Sequence, residues 1–274
     1  MNSQLQMRGN FEGSILILDL DNIRVSCRYP YQHDFEGWNM RIMISVLSAS
    51  EAREAIAGGA EILDVKNPAE GSLGAQPPHV IREIKAFASD SIEVSAAIGD
   101  MPYLPGTAAL AAFGAASCGA DYVKVGLKGP GSEEEAISLL REVQRAVRGF
   151  STSVIAVCYA DFRRACTLNP DCLPRVASAA DVRGCLLDTA IKDGNTLLDF
   201  LDLGILRSMT EQAHGAGLLM GFAGSLREEH LPLIRDLGTD VVGLRTSACR
   251  NGQRSGPLEA ARVRQLKIRG QATQ

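Results

Sequence analysis

The feature that most constrains the fold is a short pattern that recurs three times along the chain. A glycine, a small residue, an acidic residue and an apolar run follow one another from Gly59, Gly119 and Gly238. These glycines are separated by about two and about four units of thirty residues. A glycine in the left-handed conformation ends a helix, so that the chain can turn directly into a strand. The repeat therefore predicts parallel strands separated by helices.

Eight short runs of β-branched or apolar residues support this prediction, and amphipathic stretches separate them. The runs are Arg41–Leu47, Glu61–Val65, Glu93–Ile98, Asp121–Leu127, Ser153–Tyr159, Gly184–Thr189, Leu218–Ala223 and Asp240–Arg245. Eight such units predict an α/β protein with a single (β/α)8 TIM barrel, and 274 residues suffice because this fold needs about 250. An open doubly wound sheet is the alternative, but it would not need eight units. Ser48 and Ser132 are predicted N-caps, with Glu135 completing a capping box.

Residues 1–39 do not follow this rhythm. They include the turn-rich segment Tyr29–Asp34, and Met40 stands directly before the first predicted strand. We predict a poorly ordered N-terminal extension at residues 1–39 and a catalytic barrel at residues 40–274. Apart from Ser14–Leu20, the extension is expected to make few contacts with the barrel, and its deletion should leave folding and activity nearly intact.

Composition excludes several partners. Acidic residues number 32 against 28 basic ones, so the chain lacks the basic surplus of a nucleic-acid binder, and no nucleic-acid partner is expected. No apolar run reaches the ~20 residues of a membrane helix, and Ser14–Leu20 lacks the features of a signal peptide. We expect a cytoplasmic protein with no membrane partner. A homo-oligomer is compatible with the sequence, which does not fix the oligomeric state.

The cysteines and the known catalytic motifs narrow the chemistry further. Seven cysteines are scattered without a CxxC pair, which predicts buried free thiols in a reducing compartment and no metal site. The chain contains no HExxH, GxSxG or Walker motif. It is therefore not expected to be a zinc protease of that type, an α/β-hydrolase or a P-loop NTPase. No cofactor is expected.

Charged residues stand at the ends of the predicted strands, where a TIM barrel carries its active site. Side chains two positions apart on a strand share a face, so Asp64 and Lys66 point the same way. The repeat aligns Asp64 with Lys124, and Lys66 with Arg245. We predict that all of them point into the barrel at its C-terminal end.

Asp188 ends the sixth predicted strand and leads to Lys192, which adds a third lysine to this group. Crowded cations repel one another, and with partial burial this repulsion lowers the pKa of an amine from about 10.4. An amine with a pKa near 7–8 is uncharged often enough to attack a carbonyl carbon. Lys66 is our first choice for this nucleophile, while Asp64 and Asp188 would balance charge and shuttle protons.

The loops after the last two predicted strands are rich in glycine and hydroxyl groups. Gly224 and Ser225 follow the seventh strand, and Arg245 and Thr246 follow the eighth. TIM barrels often bind phosphate between these two loops, which makes these four residues candidates for phosphate binding. Tyr159 and Asp161, at the end of the fifth strand, are either a proton donor and an acid or base, or a structural pair at the rim.

Two segments of the chain are specific enough to indicate a family. Residues 64–75 read DVKNPAEGSLGA, and residues 187–194 read LDTAIKDG. With the segments at 98–107, 119–127, 223–226 and 241–245, they resemble the (5-formylfuran-3-yl)methyl phosphate synthase family. Its members are also called 4-(hydroxymethyl)-2-furancarboxaldehyde-phosphate synthases. The resemblance runs from about Met40 to Gly256 and so covers the barrel.

The resemblance implies a lyase that joins two molecules of glyceraldehyde 3-phosphate, a phosphorylated triose, with loss of phosphate and water. The furan aldehyde phosphate that results would serve the synthesis of methanofuran-type one-carbon cofactors. The resemblance also implies that Lys66 forms a Schiff base and that Lys124 accepts a proton. Lys192, Asp64 and Asp188 would assist.

Two alternative functions share these features. A Schiff-base aldolase acting on another phosphorylated sugar would use the same lysine and the same phosphate loops. A barrel that only binds a phosphorylated metabolite would need cations but no neutral amine, so the presence of three lysines argues against it.

Overall fold

The computed structural model describes residues 15–19, 24–28 and 40–271. The chain divides into a unit of Met1–Trp38 and a unit of Asn39–Gln274. In the first unit, β1 (Ile15–Asp19) and β2 (Arg24–Arg28) form an antiparallel pair in which Ile15 lies opposite Arg28. The remainder of the predicted extension lies outside the described residues.

The second unit is a closed barrel of eight parallel strands, which confirms the predicted TIM barrel. The chain order of the strands is also their order around the barrel, and Val241 in the last strand pairs with Arg41 in the first. Every predicted run contains the strand observed there. The strands are β3 (Arg41–Val46), β4 (Ile62–Val65), β5 (Glu93–Ala97), β6 (Tyr122–Gly126), β7 (Ser153–Tyr159), β8 (Gly184–Asp188), β9 (Leu219–Phe222) and β10 (Val241–Leu244).

Helices connect successive strands on the outside of the barrel. The α-helices are α1 (Ala49–Gly58), α2 (Pro78–Phe87), α3 (Pro105–Ser117), α4 (Glu133–Ala146), α5 (Phe162–Ala165), α6 (Leu173–Ala179), α7 (Leu203–Gly215), α8 (Leu231–Arg235) and α9 (Ala260–Gln271). Short 3-10 helices occupy Pro68–Glu70, Pro170–Cys172, Leu197–Asp199, Glu228–His230, Thr246–Ala248 and Arg250–Gly252.

The predicted ends of the helices agree with the structure in most respects. Gly59, Gly119 and Gly238 have φ angles of 89°, 87° and 77°, so each repeat begins with a left-handed glycine. Ser48 and Ser132 accept hydrogen bonds from the first turns of α1 and α4. The capping box is displaced, however, because the Glu135 carboxylate accepts from the N–H of Gly131 instead of that of Ser132.

Two apolar layers hold the barrel together. One lies between the strands and the helices, and the other fills the interior, where Ile62, Ile155, Leu186 and Val241 meet. Because side chains alternate along β4, the inward position of Ile62 also turns Asp64 inward. The interior is therefore apolar in its lower layers and charged at the C-terminal ends of the strands.

The cysteines whose side chains are described carry no disulfide. Five of them are buried, as predicted, including Cys158 and Cys185 on the outer faces of β7 and β8. Cys166 is exposed, so the prediction of burial is wrong for this residue. It ends the short helix α5 in the left-handed conformation, at the surface. In the part of the chain described here, no helix has both the length and the apolar character needed to cross a membrane.

Candidate active site

Five charged side chains of alternating sign form a row inside the C-terminal end of the barrel, which we call the charge row. In spatial order they are Lys124, Asp64, Lys66, Asp188 and Lys192. Strands β4, β6 and β8 and the segments that follow them supply these residues. The structure thus brings together the three lysines and two aspartates that the sequence singles out.

The three lysines are held differently. Lys124 and Lys192 each form a close ion pair, the first with Asp64 and the second with Asp188. The Nζ atom of Lys66 lies between the two carboxylates, 3.6 Å from Asp64 Oδ2 and 3.7 Å from Asp188 Oδ2. Among the described residues, Lys66 Nζ makes no hydrogen bond. It is therefore the least restrained amine of the row, although only 7% of its side chain is exposed.

Further hydrogen bonds fix the two carboxylates. Ser45 Oγ donates to Asp64 Oδ2 at 2.9 Å, and the backbone N–H of Thr189 donates to Asp188 Oδ1 at 2.8 Å. Ser72 Oγ donates to the carbonyl oxygen of Thr189 at 2.8 Å and so ties the segment after β4 to the end of β8. Both carboxylates are consequently held in place on either side of Lys66.

Burial and neighbouring charges shift the pKa values within the row. Removal from water lowers the pKa of Lys124 below its usual value although Asp64 opposes the change. Desolvation also lowers the pKa of Lys192, to about 8. Burial alone would raise the pKa of Asp64 and of Asp188, but the adjacent ammonium groups hold both below their usual range. Both carboxylates are therefore ionised at neutral pH, and the two outer amines release protons more readily than an exposed lysine does.

The four residues predicted to bind phosphate line the same cavity as the charge row. Gly224 and Ser225 come from the loop after β9, and Arg245 and Thr246 come from the loop after β10. Gly224 and Ser225 have φ angles of 99° and 51°, so the loop turns sharply where it borders the cavity. At Gly224 an added Cβ would lie 3.0 Å from Thr189 Cγ2, which leaves little room for a larger residue.

Arg245 reaches the cavity, but its guanidinium is bound to other protein groups. Nη1 and Nη2 donate to the two carboxylate oxygens of Glu51 at 2.8 and 3.1 Å. Nη1 also donates to the carbonyl of Ser45 at 2.9 Å, and Nε donates to that of Arg254 at 3.1 Å. The structure thus gives Arg245 a clear structural role in joining the end of β10 to α1.

Tyr159 and Asp161 are structural neighbours of the site. The Tyr159 hydroxyl donates to the carboxylate of Asp100, and its ring is fully buried. Asp161 accepts the backbone N–H groups of Ala190 and Ile191 at 2.7 and 2.9 Å. It therefore anchors the segment that carries Lys192.

Sequence reasoning missed four residues that shape this site. Ser45 is a polar residue within an otherwise apolar strand, and this break in the pattern could have identified it as a site residue. Ser72 and Arg254 lie in irregular segments, where no periodicity shows which way a side chain points. Glu51 lies in the first turn of α1, and its partner Arg245 is distant in sequence. Arg254 lines the cavity from the segment before α9.

Comparison with known proteins shows the family of the chain. The pattern of the 4-HFC-P synthase family matches residues 42–267. A (5-formylfuran-3-yl)methyl phosphate synthase of Methanopyrus kandleri is 48% identical over 229 residues, which cover 82% of this chain and 97% of the relative. The enzyme of the same name from Methanocaldococcus jannaschii is 46% identical over 231 residues, covering 83% of this chain and 98% of the relative.

Solved structures resemble the chain in fold. Phosphoribosyl anthranilate isomerase from Thermus thermophilus has a TM-score of 0.54 at 19% identity, covering 84% of this chain and 98% of that one. A 3-hexulose-6-phosphate synthase has a TM-score of 0.56 at 18% identity, covering 84% of this chain and 99% of that one. At this level of identity the likeness concerns the barrel alone.

Proposed function

Because the chain belongs to the (5-formylfuran-3-yl)methyl phosphate synthase family, we propose that it condenses two molecules of glyceraldehyde 3-phosphate through a Schiff base on Lys66. The product would be (5-formylfuran-3-yl)methyl phosphate, a precursor of methanofuran-type cofactors. Atoms balance when one phosphate and two water molecules leave. The enzyme would therefore act as a lyase that cleaves a carbon–oxygen bond to phosphate.

The position of Lys66 is the observation that carries this proposal. Its amine lies between two ionised carboxylates without a hydrogen bond to either, whereas Lys124 and Lys192 are closely paired. A nucleophilic amine must lose its proton before it attacks an aldehyde carbon. The carboxylates on both sides stabilise the positive iminium that the attack produces.

Lys124 is the proposed base. An iminium acidifies the hydrogen on the neighbouring carbon of the bound triose, and removal of that hydrogen produces an enamine. The enamine carbon would then add to the aldehyde carbon of the second molecule. Lys124 suits this role because burial lowers the pKa of its amine, so that a neutral base is available more often than in water.

Lys192 and Asp188 form the opposite side of the site. Their ion pair would stabilise negative charge on the oxygen atoms that become water or phosphate. Because the pKa of Lys192 is about 8, its ammonium group is an adequate proton donor near neutral pH. Gly224, Ser225 and Thr246 would border the phosphate of the bound triose.

The direct test is product analysis combined with trapping. Purified protein should convert glyceraldehyde 3-phosphate to a compound with the mass of the furan aldehyde phosphate and release one phosphate per product. Borohydride should reduce the intermediate to a secondary amine on Lys66, which peptide mass spectrometry would locate. Lys85→Arg is the matched control, since Lys85 pairs with Asp121 on the outside of the barrel and should not affect trapping.

Other outcomes would redirect the assignment. A different phosphorylated aldol product would indicate a Schiff-base aldolase of another specificity. An adduct located on Lys124 or Lys192 would exchange the proposed roles. If no lysine were trapped and Lys66→Arg remained active, the amine mechanism would be rejected and the charge row would be reduced to an anion-binding site.

A further inference from the structure

Arg254 differs from every other cation that lines the cavity, because within the described residues its side chain forms neither an ion pair nor a hydrogen bond. Its Nη2 atom is shielded from solvent and, among the described residues, finds no hydrogen-bond acceptor. Arg245, by contrast, donates to Glu51, to Ser45 and to the backbone carbonyl of Arg254 itself. Arg245 thus fixes the main chain at Arg254, whereas no group in the described part of the chain pairs with the guanidinium of Arg254.

A half-buried guanidinium without a partner opposes folding, because a charge removed from water is normally compensated by a counter-ion or by hydrogen bonds. Desolvation lowers the pKa of Arg254 below its usual value, although the group stays charged. The carboxylate of Asp188 favours the charged form, Arg245 disfavours it, and Cys249 and Asp64 favour it to a smaller extent. Such a group is best explained by a ligand that completes its hydrogen bonds.

The overall charge of the cavity points to the nature of that ligand. Five cationic side chains and two carboxylates line it. Glu51 neutralises Arg245, so a formal excess of two positive charges remains. A phosphate monoester carries about −1.5 to −2 charges at neutral pH and therefore matches this excess. The planar guanidinium can also donate two parallel hydrogen bonds to two phosphate oxygens, a fixed geometry that an ammonium group does not provide.

We propose that Arg254 is the side chain that recognises the phosphate group of the triose bound at Lys66, a role that depends on the proposed function for the identity of the substrate. Ser225 and Thr246 line the same cavity as Arg254, and among the described residues their hydroxyl groups make no hydrogen bond. They complete the phosphate site. Arg245 supports this site through its hydrogen bond to the backbone carbonyl of Arg254.

The test compares Arg254→Gln with Arg250→Gln. Arg250 lies on the same segment but pairs with Glu259 at the surface, so its substitution changes charge equally and should leave KM unchanged. Loss of a hydrogen bond to a charged group should lower kcat/KM for glyceraldehyde 3-phosphate roughly 10- to 100-fold in Arg254→Gln. The effect should appear mainly in KM, because the charge row, which carries the proposed chemistry, is unaltered.

Two further measurements separate phosphate recognition from other effects. Trapping of unphosphorylated glyceraldehyde on Lys66 with borohydride should be equally efficient in the wild type and in Arg254→Gln. Inorganic phosphate should raise the melting temperature of the wild type and of Arg250→Gln but not that of Arg254→Gln. Without phosphate, Arg254→Gln should melt no lower than the wild type, because a half-buried charge without a partner is removed.

The inference is overturned if Arg254→Gln keeps the wild-type KM and the stabilisation by inorganic phosphate. Should this variant fold poorly, Arg254→Lys provides the same test, with a smaller rise in KM because the charge remains while the two-pronged geometry is lost. If the wild type forms no adduct with glyceraldehyde 3-phosphate, the proposed function fails. The response to inorganic phosphate then still decides the role of Arg254.

Discussion

Lys66 Nζ lies 3.7 Å from Asp188 Oδ2, although their strands stand on opposite sides of the barrel. In the closed order of strands, β4 and β8 are four positions apart in either direction. The charge row therefore spans the interior instead of following its wall. A substrate carbonyl that reaches Lys66 is consequently flanked by charged groups from both sides of the barrel.

Replacing Lys66 and Lys124 one at a time should show which lysine is the nucleophile and which is the base. Lys66→Arg keeps the positive charge, but a guanidinium does not become a neutral nucleophile, so borohydride trapping should be abolished while the fold is retained. Lys124→Arg should slow turnover by about 10²–10⁴-fold, a typical contribution of a general base, yet still allow some adduct at Lys66. Turnover measurements and peptide mapping check both results. Equal trapping in the two variants would contradict the division of roles.

The pKa of Lys192 predicts a dependence of stability on pH. Its amine has a pKa of about 8 in the folded protein against a reference value of 10.5, so between these values the unfolded chain binds a proton that the folded protein lacks. The free energy of unfolding should therefore rise with pH across this window. Denaturant titrations at pH 8 and pH 10 should show a smaller rise for Lys192→Met than for the wild type. An identical rise in both proteins would contradict the lowered pKa.

The ion pair between Arg245 and Glu51 should matter for stability. Only 4% of the Arg245 side chain is exposed, so Glu51→Gln leaves a buried cation without its carboxylate. Breaking a buried pair in this way typically costs about 3–5 kcal/mol. The double variant Glu51→Gln with Arg245→Met should be less destabilised than Glu51→Gln alone, because the unpaired charge is gone. Chemical denaturation of the two variants measures the difference, and additive losses would count against the interpretation.

The barrel interior should tolerate no side chain at Gly126. An added Cβ would lie 2.5 Å from Tyr159 Oη and 2.9 Å from Asp100 Oδ1, so Gly126→Ala should destabilise the fold by roughly 1–3 kcal/mol. Gly114→Ala is the matched control, since no atom lies within 4 Å of the added Cβ in the middle of α3. The control should be stabilised by about 0.5–1 kcal/mol because alanine favours a helix. Thermal denaturation of both variants tests the contrast.

Strand periodicity explains how much of the site could be predicted from sequence. An alternating strand leaves only two orientations, so the inward position of Ile62 also decides that of Asp64. The same reasoning applied to Lys124 and Asp188, and the rule that barrel enzymes act at the C-terminal ends of strands supplied the location. The fold and the strand members of the charge row therefore followed from local pattern, whereas Lys192 lies in the loop after β8.

The loop residues could not be predicted in the same way. Arg245 was expected to face a phosphate, but its direction depends on Glu51 in α1, almost two hundred positions away in sequence. Ser72 meets Thr189 only because the barrel closes. Such contacts depend on tertiary packing and leave no period in the sequence. The same holds for Arg254, which no strand orients.

The charge row also makes catalytic activity depend on complete closure of the barrel. Asp64, Lys66 and Lys124 come from the first half of the barrel, β3 to β6 with the segments that follow them. Asp188 and Lys192 come from the second half, β7 to β10. A chain cut between α4 and β7 would leave the nucleophile on one fragment and its second counter-ion on the other. Neither half of the barrel would carry all five side chains of the charge row. Only the reassembled ring, closed in the correct register, places two carboxylates around one amine.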